Sequence, residues 1–219
     1  QKTQRFCDLQ LPVSGCRSLH DSLKRFVAEE TIEGYNTRDP NLGRQTARRG
    51  SRFVQLPPVL LMQLKRFEYD PSTGSLRKLQ DRFAFPTSLN MRRFMARRTA
   101  AEAGGVAAPS SYRLHAVLSH VGDSNSGHYV AFVRPTLRNE WYKFDDIRVT
   151  RVDESTAVGG QFGADGAPRR GWWGGAPETA YVLTYVRSDL VRPDGGAADD
   201  DLAARLPPEV LTYFKRPAV

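Results

Sequence analysis

Apolar and polar residues alternate over 6–11, which places Cys7, Leu9 and Leu11 on one face of an expected strand. The period lengthens after Ser18. Leu19, Leu23, Phe26 and Val27 fall on one helical face, with Ser18 as N-cap and Asp21 three residues on, so a helix is expected to end near Glu30. Residues 34–50 are polar and hold Gly34, Pro40 and Gly43, the composition of a loop. Pro57-Pro58 introduces a strand over 59–69, and its start, Val59-Leu60-Leu61-Met62, is apolar on both faces, which predicts a place deep in a sheet. Pro71-Ser72-Thr73-Gly74 reads as a turn, followed by short strands around Arg77 and over 82–85.

The clearest alternation comes next. Tyr112, Leu114, Ala116 and Leu118 interleave with Arg113, His115, Val117 and Ser119, and further strands are expected over 128–134, 139–146, 148–152 and 181–187. Two segments rich in Arg, Ala or Gly, 92–111 and 157–177, read as inserted loops. Residues 193–201 form a polar linker, and Pro207-Pro208 opens a short helix carrying Val210, Leu211, Tyr213 and Phe214. One helix followed by many closely spaced strands predicts an α+β fold with a largely antiparallel sheet. The unit is expected to fill residues 1–187, with 188–219 as linker and terminal helix.

Composition narrows the class. Of 219 residues, 40% are apolar, enough for a core, and no apolar run is long enough to span a membrane. The chain starts at Gln1 without a signal peptide, as a fragment would. Two cysteines and no C-x-x-C pair make neither a disulfide scaffold nor a zinc site, and favour a reducing, intracellular setting. The net charge of +8 is scattered in short groups such as Arg48-Arg49 and Arg97-Arg98. It reads as a solvated basic surface; nucleic-acid binding would need a recognition motif, and none accompanies it.

The chemistry gathers in Gly122-Asp-Ser-Asn-Ser-Gly-His-Tyr-Val130 and Trp141-Tyr-Lys-Phe-Asp-Asp146. If a hairpin closes on the loop 135–138 with Arg134 opposite Asn139, Phe132 faces Trp141 and His128 faces Asp145. A carboxylate there accepts the imidazole N–H and fixes its tautomer. A loop one residue longer puts Asp146 opposite His128 instead. The plainer alternative is a half-buried histidine beside a surface aspartate. A His–Asp pair calls for a nucleophile. Cys7, on the apolar face of its strand, reads as buried and structural, and Cys16, after Gly15, as an exposed thiol; neither sits in the setting of an activated cysteine.

Several blocks resemble the ubiquitin-specific proteases. Leu56-Pro-Pro-Val-Leu-Leu-Met-Gln-Leu-Lys-Arg-Phe-Glu-Tyr69 is similar to a block of that family, Tyr112-Arg-Leu-His-Ala-Val-Leu-Ser-His120 and Gly127-His-Tyr-Val-Ala-Phe132 to its histidine box, and Trp141-Tyr-Lys-Phe-Asp-Asp146 and Ala180-Tyr-Val-Leu-Thr-Tyr185 to its closing segments. Residues 6–11, Tyr69-Asp-Pro-Ser-Thr-Gly74 and Asp81-Arg-Phe-Ala-Phe-Pro86 resemble the herpesvirus-associated branch. The resemblance implies a papain-like cysteine-protease fold of thumb, palm and fingers, here without the thumb, and hydrolysis after the last glycine of ubiquitin in ubiquitinated proteins. It implies His128 as general base, Asp145 (Asp146 in reserve) as its orienting partner, and Phe67, Tyr129 and Tyr181 as lining the channel for the ubiquitin tail, where plain core packing is the alternative. The family's cysteine box has no match here, so the nucleophile is expected upstream; a non-catalytic ubiquitin-binding scaffold is the alternative. Tyr35-Asn36-Thr37-Arg38 stands where many members carry a second C-x-x-C pair, which implies no zinc. No cofactor is expected.

Overall fold

Burial alternates along 59–65 with the period of two that a pleated strand imposes. Leu60, Met62 and Leu64 are buried, while Val59, Leu61 and Lys65 face outward. A computed structural model of the chain describes residues 3–37, 41, 43–96, 109–124, 126–135, 140–164 and 178–191. In chain order it contains β1 (Asp8–Pro12), α1 (Leu19–Phe26), β2 (Glu30–Asn36), β3 (Arg44–Arg49), β4 (Val59–Lys65), β5 (Phe67–Asp70), β6 (Ser75–Lys78) and β7 (Ser88–Asn90). Then follow β8 (Ser111–Gly122), β9 (Gly127–Val133), β10 (Trp141–Asp145), β11 (Arg148–Val152), α2 (Glu154–Ala157) and β12 (Glu178–Arg187), with two single turns of 3₁₀ helix between elements and one after β12 among the described residues.

The main sheet runs β1-β4-β12-β8-β9-β10-β11, and only β1 and β4 pair in parallel. The far edge of β8 is shared: β7 pairs with its first residues, 111–113, and β9 with 116–122. β2–β3 and β5–β6 form separate two-stranded ribbons. This is the expected α+β architecture, mostly sheet with few helices.

α1 starts where Ser18 predicts. The Ser18 hydroxyl accepts from the Asp21 backbone N–H at 3.1 Å, and Leu19 and Leu23 are buried. The helix stops at Phe26, short of the expected Glu30, because Glu30 already pairs with Arg49. The same pairing corrects the reading of 34–50 as a loop. β2 and β3 are mostly exposed on both faces, so no apolar alternation marked them. The strand expected over 59–69 is two strands, β4 and β5, broken at Arg66. Val59 and Leu61 make the outer face of β4 half-exposed, so this strand is central in the ladder but not buried on both sides.

Residues 82–85 make single tethers rather than a strand: Arg82 N–H donates to Ala164 O, Phe83 to Phe162 O and Ala84 to Arg17 O. Phe83 and Phe85 still fill the core. The turn Pro71-Ser72-Thr73-Gly74 closes the β5–β6 hairpin as expected, with Gly74 at φ +66°. Parts of the spans read as inserted loops, 92–111 and 157–177, pack into the core. Met91, just before the first span, and Phe94 within it are buried, as are Ala157, Val158 and Gln161 within the second. Residues 97–108, 165–177 and the terminal segment 192–219, with the expected short helix, lie outside the described residues.

The two cysteines exchange their expected settings. Cys7 precedes β1 and is exposed, whereas the turn at Gly15 (φ +70°) tucks Cys16 into the core against α1. Alternation along β8 also slips. Tyr112 and Leu114 are buried, then Val117 and Ser119, because His115 is an extra residue opposite β12, where Leu114 pairs with Tyr185 and Ala116 with Thr184. Arg134 closes this bulge, its N–H donating to His115 O and its guanidinium to Leu114 O.

Arg66, at the break between β4 and β5, is 1% exposed. Its Nε donates to Ala180 O (2.8 Å), one terminal nitrogen to Leu79 O (2.9 Å) and Asp81 O (3.0 Å), and the other to Phe162 O (3.1 Å). Burial pulls its pKa down to about 10, leaving it a cation at neutral pH. The planar fork reaches four carbonyls that an ammonium could not serve together. Arg66→Met is therefore expected to cost about 3–5 kcal/mol, because Leu79 O, Asp81 O and Ala180 O lose this donor away from water, while Phe162 O keeps the Phe83 N–H. Arg66→Lys should recover under half of that; equilibrium denaturation of the three proteins checks it.

Candidate active site

Two strand ends meet at the site. β9 begins at Gly127 and β10 ends at Asp145, so His128 and Asp145 lie at the same mouth of the sheet. The register differs from the simple hairpin. Val133 pairs with Tyr142, Phe132 with Lys143 and Ala131 with Phe144, two residues out of the expected register. Asp145 thus stands diagonal to His128 rather than opposite it. A shift of two keeps every side chain on its face, so the pair survives. Phe132 faces Lys143, not Trp141, and the Lys143 ammonium lies 5.8 Å from the centre of its ring. Of the loop between β9 and β10, residues 136–139, with the expected Arg134–Asn139 closure, lie outside the described residues.

His128 Nε2 lies 2.8 Å from Asp145 Oδ1. A carboxylate only accepts, so Nε2 carries the proton and donates it, and in the neutral ring Nδ1 keeps its lone pair. Asp146 is more remote, with Oδ2 at 3.9 Å from Nε2, and its φ of +51° turns the chain out of β10. The hydrogen bond from His128, supported by Lys143 with its Nζ 3.5 Å from Oδ2, holds the Asp145 carboxyl below its ordinary range. His128, Asp145 and Asp146 bring their side-chain donor and acceptor atoms within 4.8 Å of one another, as a hydrogen-bonded group rather than a ligand set. All three are partly exposed, and the Nε2–Oδ1 separation is that of a hydrogen bond.

The turn before His128 is built from several constraints. Gly122 has φ +117°, the Asp123 N–H donates to Ser126 O, and the Asp123 carboxylate accepts from the Ser126 N–H. The Lys78 ammonium donates to His120 O (2.8 Å) and Gly122 O (2.7 Å), and burial pulls its pKa down to about 8. A Cβ on Gly127 would sit 2.2 Å from His120 Nε2 and 2.5 Å from Val121 O.

Phe67, Tyr129 and Tyr181 do meet. The Phe67 and Tyr181 rings are 5.8 Å apart edge to face, and Tyr129 and Tyr181 are 5.9 Å apart. His120 joins them at 5.6 Å from Phe67 and 4.8 Å from Tyr129, and Gln63 donates to the Tyr181 hydroxyl at 2.9 Å. Tyr181 is the extra residue of a second bulge, between the pairs Ala180–Ser119 and Val182–Leu118, which turns its ring toward this cluster. Sequence reading missed His120, Gln63, Lys78, Lys143 and Glu178. Lys143 had a legible signal, two residues before Asp145 on the same strand face, and His120 opposes Tyr129 across the β8–β9 pair; Gln63, Lys78 and Glu178 are joined to the site only by long-range pairing.

A sequence profile described as ubiquitin carboxyl-terminal hydrolase matches residues 11–185. The chain belongs to that family. Among similar ubiquitin carboxyl-terminal hydrolases, Ubiquitin C-terminal hydrolase 12 of Arabidopsis thaliana is 38% identical over 216 residues, covering 94% of this chain and 19% of its own length. Ubiquitin carboxyl-terminal hydrolase 7 of Drosophila melanogaster is 36% identical over 205 residues, covering 93% and 17%. The chain thus spans less than a fifth of the length of these relatives. In solved structures, Ubp8 of the SAGA DUB module bound to ubiquitin aldehyde matches with a TM-score of 0.64 at 31% identity, over 83% of this chain and 36% of that one. Among the described residues, no helix is long and apolar enough to cross a membrane.

Two outcomes test the geometry. Gly127→Ala should lower stability by about 1–3 kcal/mol, since the methyl must displace the His120 ring or the β8 backbone; thermal unfolding against the unmodified chain reads this. The Asp145 pKa is lowered on folding, so its contribution to stability is present above its ordinary pKa of 3.8 and is lost as pH falls through the lower folded value. The stability difference between the chain and Asp145→Asn should therefore begin to shrink as pH falls below about 4 and vanish below the lower folded value.

Proposed function

We propose that this chain is the C-terminal portion, to about residue 187, of the catalytic domain of a thiol-dependent deubiquitinase of the herpesvirus-associated branch. It acts on ubiquitin and ubiquitinated proteins in an intracellular setting. The observation that carries this reading is the His128 Nε2–Asp145 Oδ1 hydrogen bond of 2.8 Å, which leaves Nδ1 as the base. The branch rests on the motifs at 6–11, 69–74 and 81–86.

His128 Nδ1 takes the proton of a cysteine supplied by sequence before Gln1. The thiolate attacks the carbonyl of the bond after the ubiquitin C-terminal glycine, and the imidazolium, stabilised by Asp145, gives its proton to the departing lysine amine. Water, deprotonated by the same imidazole, then hydrolyses the thioester and frees the thiol. Phe67, Tyr129 and Tyr181 form the wall past which the tail enters, and bulky rings there admit glycine and exclude larger side chains. Topology supports an external nucleophile. β1 lies four strand spacings from β9, about 19 Å at the usual spacing. Cys7 leads into β1, and Cys16 lies beside α1, which is tied to β1 by the Ser22 hydroxyl on Pro12 O.

In the complete protein, His128→Ala is expected to lower cleavage of a ubiquitin–fluorophore conjugate at least about a thousandfold with ubiquitin binding kept. Cleavage at the unmodified rate would overturn the proposal. Ubiquitin binding without turnover by the unmodified complete protein would mark a non-catalytic ubiquitin-binding scaffold instead.

A further inference from the structure

The oxygen of Asp145 that does not face His128 is also engaged. Oδ2 lies 3.5 Å from Lys143 Nζ, and Nζ is tethered to Glu178 Oε1 at 3.1 Å. The other carboxylate oxygen of Glu178 accepts from Gln161 Nε2 at 3.2 Å. Gln161 is 2% exposed, and its Nε2 also donates to Thr156 O at 3.0 Å. A continuous path therefore runs from a buried amide, through Glu178 on β12 and Lys143 on β10, to the carboxylate that holds His128. The side chains of Lys143 and Glu178 are about a quarter exposed, so the path is partly shielded from solvent.

We propose that Lys143 and Glu178 act as a neutral positioning pair for the Asp145–His128 couple. The inference rests on the catalytic reading of that couple. Lys143 alone would fix the rotamer of Asp145 but would cancel the negative charge that stabilises the imidazolium. Glu178 removes this conflict by neutralising Lys143 from the far side. Asp145 is then held on both oxygens while its charge still acts on His128. Among the described residues, Asp146, 3.9 Å from Nε2, and Arg148, opposite Asp145 in the β10–β11 register, also bring charge to the couple. Neither lies on the path.

The arrangement predicts displacements of opposite sign. Glu178→Gln keeps an acceptor for Lys143 and leaves its charge uncompensated, so the His128 pKa should fall by about half a pH unit. Lys143→Met leaves two carboxylates near the ring, and the pKa should rise by a similar amount. The double variant Lys143→Met with Glu178→Met should return it close to its starting value, and Lys143→Arg should leave it in place. The readout is imidazole NMR titration of the 219-residue chain, whose four histidines are assigned with His128→Gln. In the complete protein, both single variants should lower kcat with KM nearly unchanged.

A purely structural role would broaden or weaken the His128 signal without moving its pKa in opposite directions. Shifts of the same sign, or none in any of the four variants, would overturn the inference. Should one single variant fail to fold, the other still decides it, since a pKa unmoved or moved against its predicted sign contradicts the neutral pair. If His128→Ala leaves turnover intact while the opposed shifts are found, the catalytic reading fails and the electrostatic coupling stands. If His128→Ala is inactive and the shifts are absent, this inference alone fails.

Discussion

One buried cation with no carboxylate at hydrogen-bond distance organises the molecule. The Arg66 guanidinium is satisfied by four backbone carbonyls from three separate stretches, around 79–81, 162 and 180. A carbonyl carries only a partial charge, so the desolvation of the guanidinium is offset by number and geometry, with the Asp81 charge adding to it from farther away. That condition sets the local path of each stretch. It breaks the strand after Lys65 and turns β5 away from the main sheet. It also holds β12 beside the point where Tyr181 bulges, and it fastens the segment at Phe162 under the 82–85 stretch. The aromatic cluster and the Glu178 carboxylate both hang on β12, so Arg66 reaches the site without touching it.

The site itself depends on irregularities in an otherwise regular meander. The bulge at His115 exchanges the faces of β8, and the one at Tyr181 re-aims a ring. The left-handed Gly122, the side-chain-free Gly127 and the positive φ of Asp146 bend the chain at both strand ends where His128 and Asp145 stand. A regular sheet would carry these side chains along its faces. The departures bring an imidazole, a carboxylate and four rings to one end of it.

Most of this architecture was legible where a face is buried. Leu60, Met62, Leu64 and the residues after Ser18 announced their elements, because burial imposes a period on the sequence. The ribbon β2–β3 was not legible because both its faces meet solvent, and its arginines and glutamates carry no period. Cys7 and Cys16 were misjudged because one residue beyond a strand end, or one left-handed glycine, decides burial, and alternation cannot register either. The His128–Asp145 pair was legible although its register was not: two residues of slip preserve the face. Lys78 and Glu178 reach the site through pairings that no local pattern encodes.

The range of these pairings along the chain has a consequence for assembly. His128 and Asp145 are 17 residues apart, within consecutive antiparallel strands, whereas the bond between Gln63 and Tyr181 spans 118 residues. The couple can therefore close as a local event with little loop entropy to overcome. The ring cluster, the Arg66 cradle and the Glu178 tether must all wait for β12 to slot between β4 and β8. During synthesis, the imidazole and its carboxylate can meet before the ring cluster beside them exists, and the last strand joins an isolated pair to its surroundings.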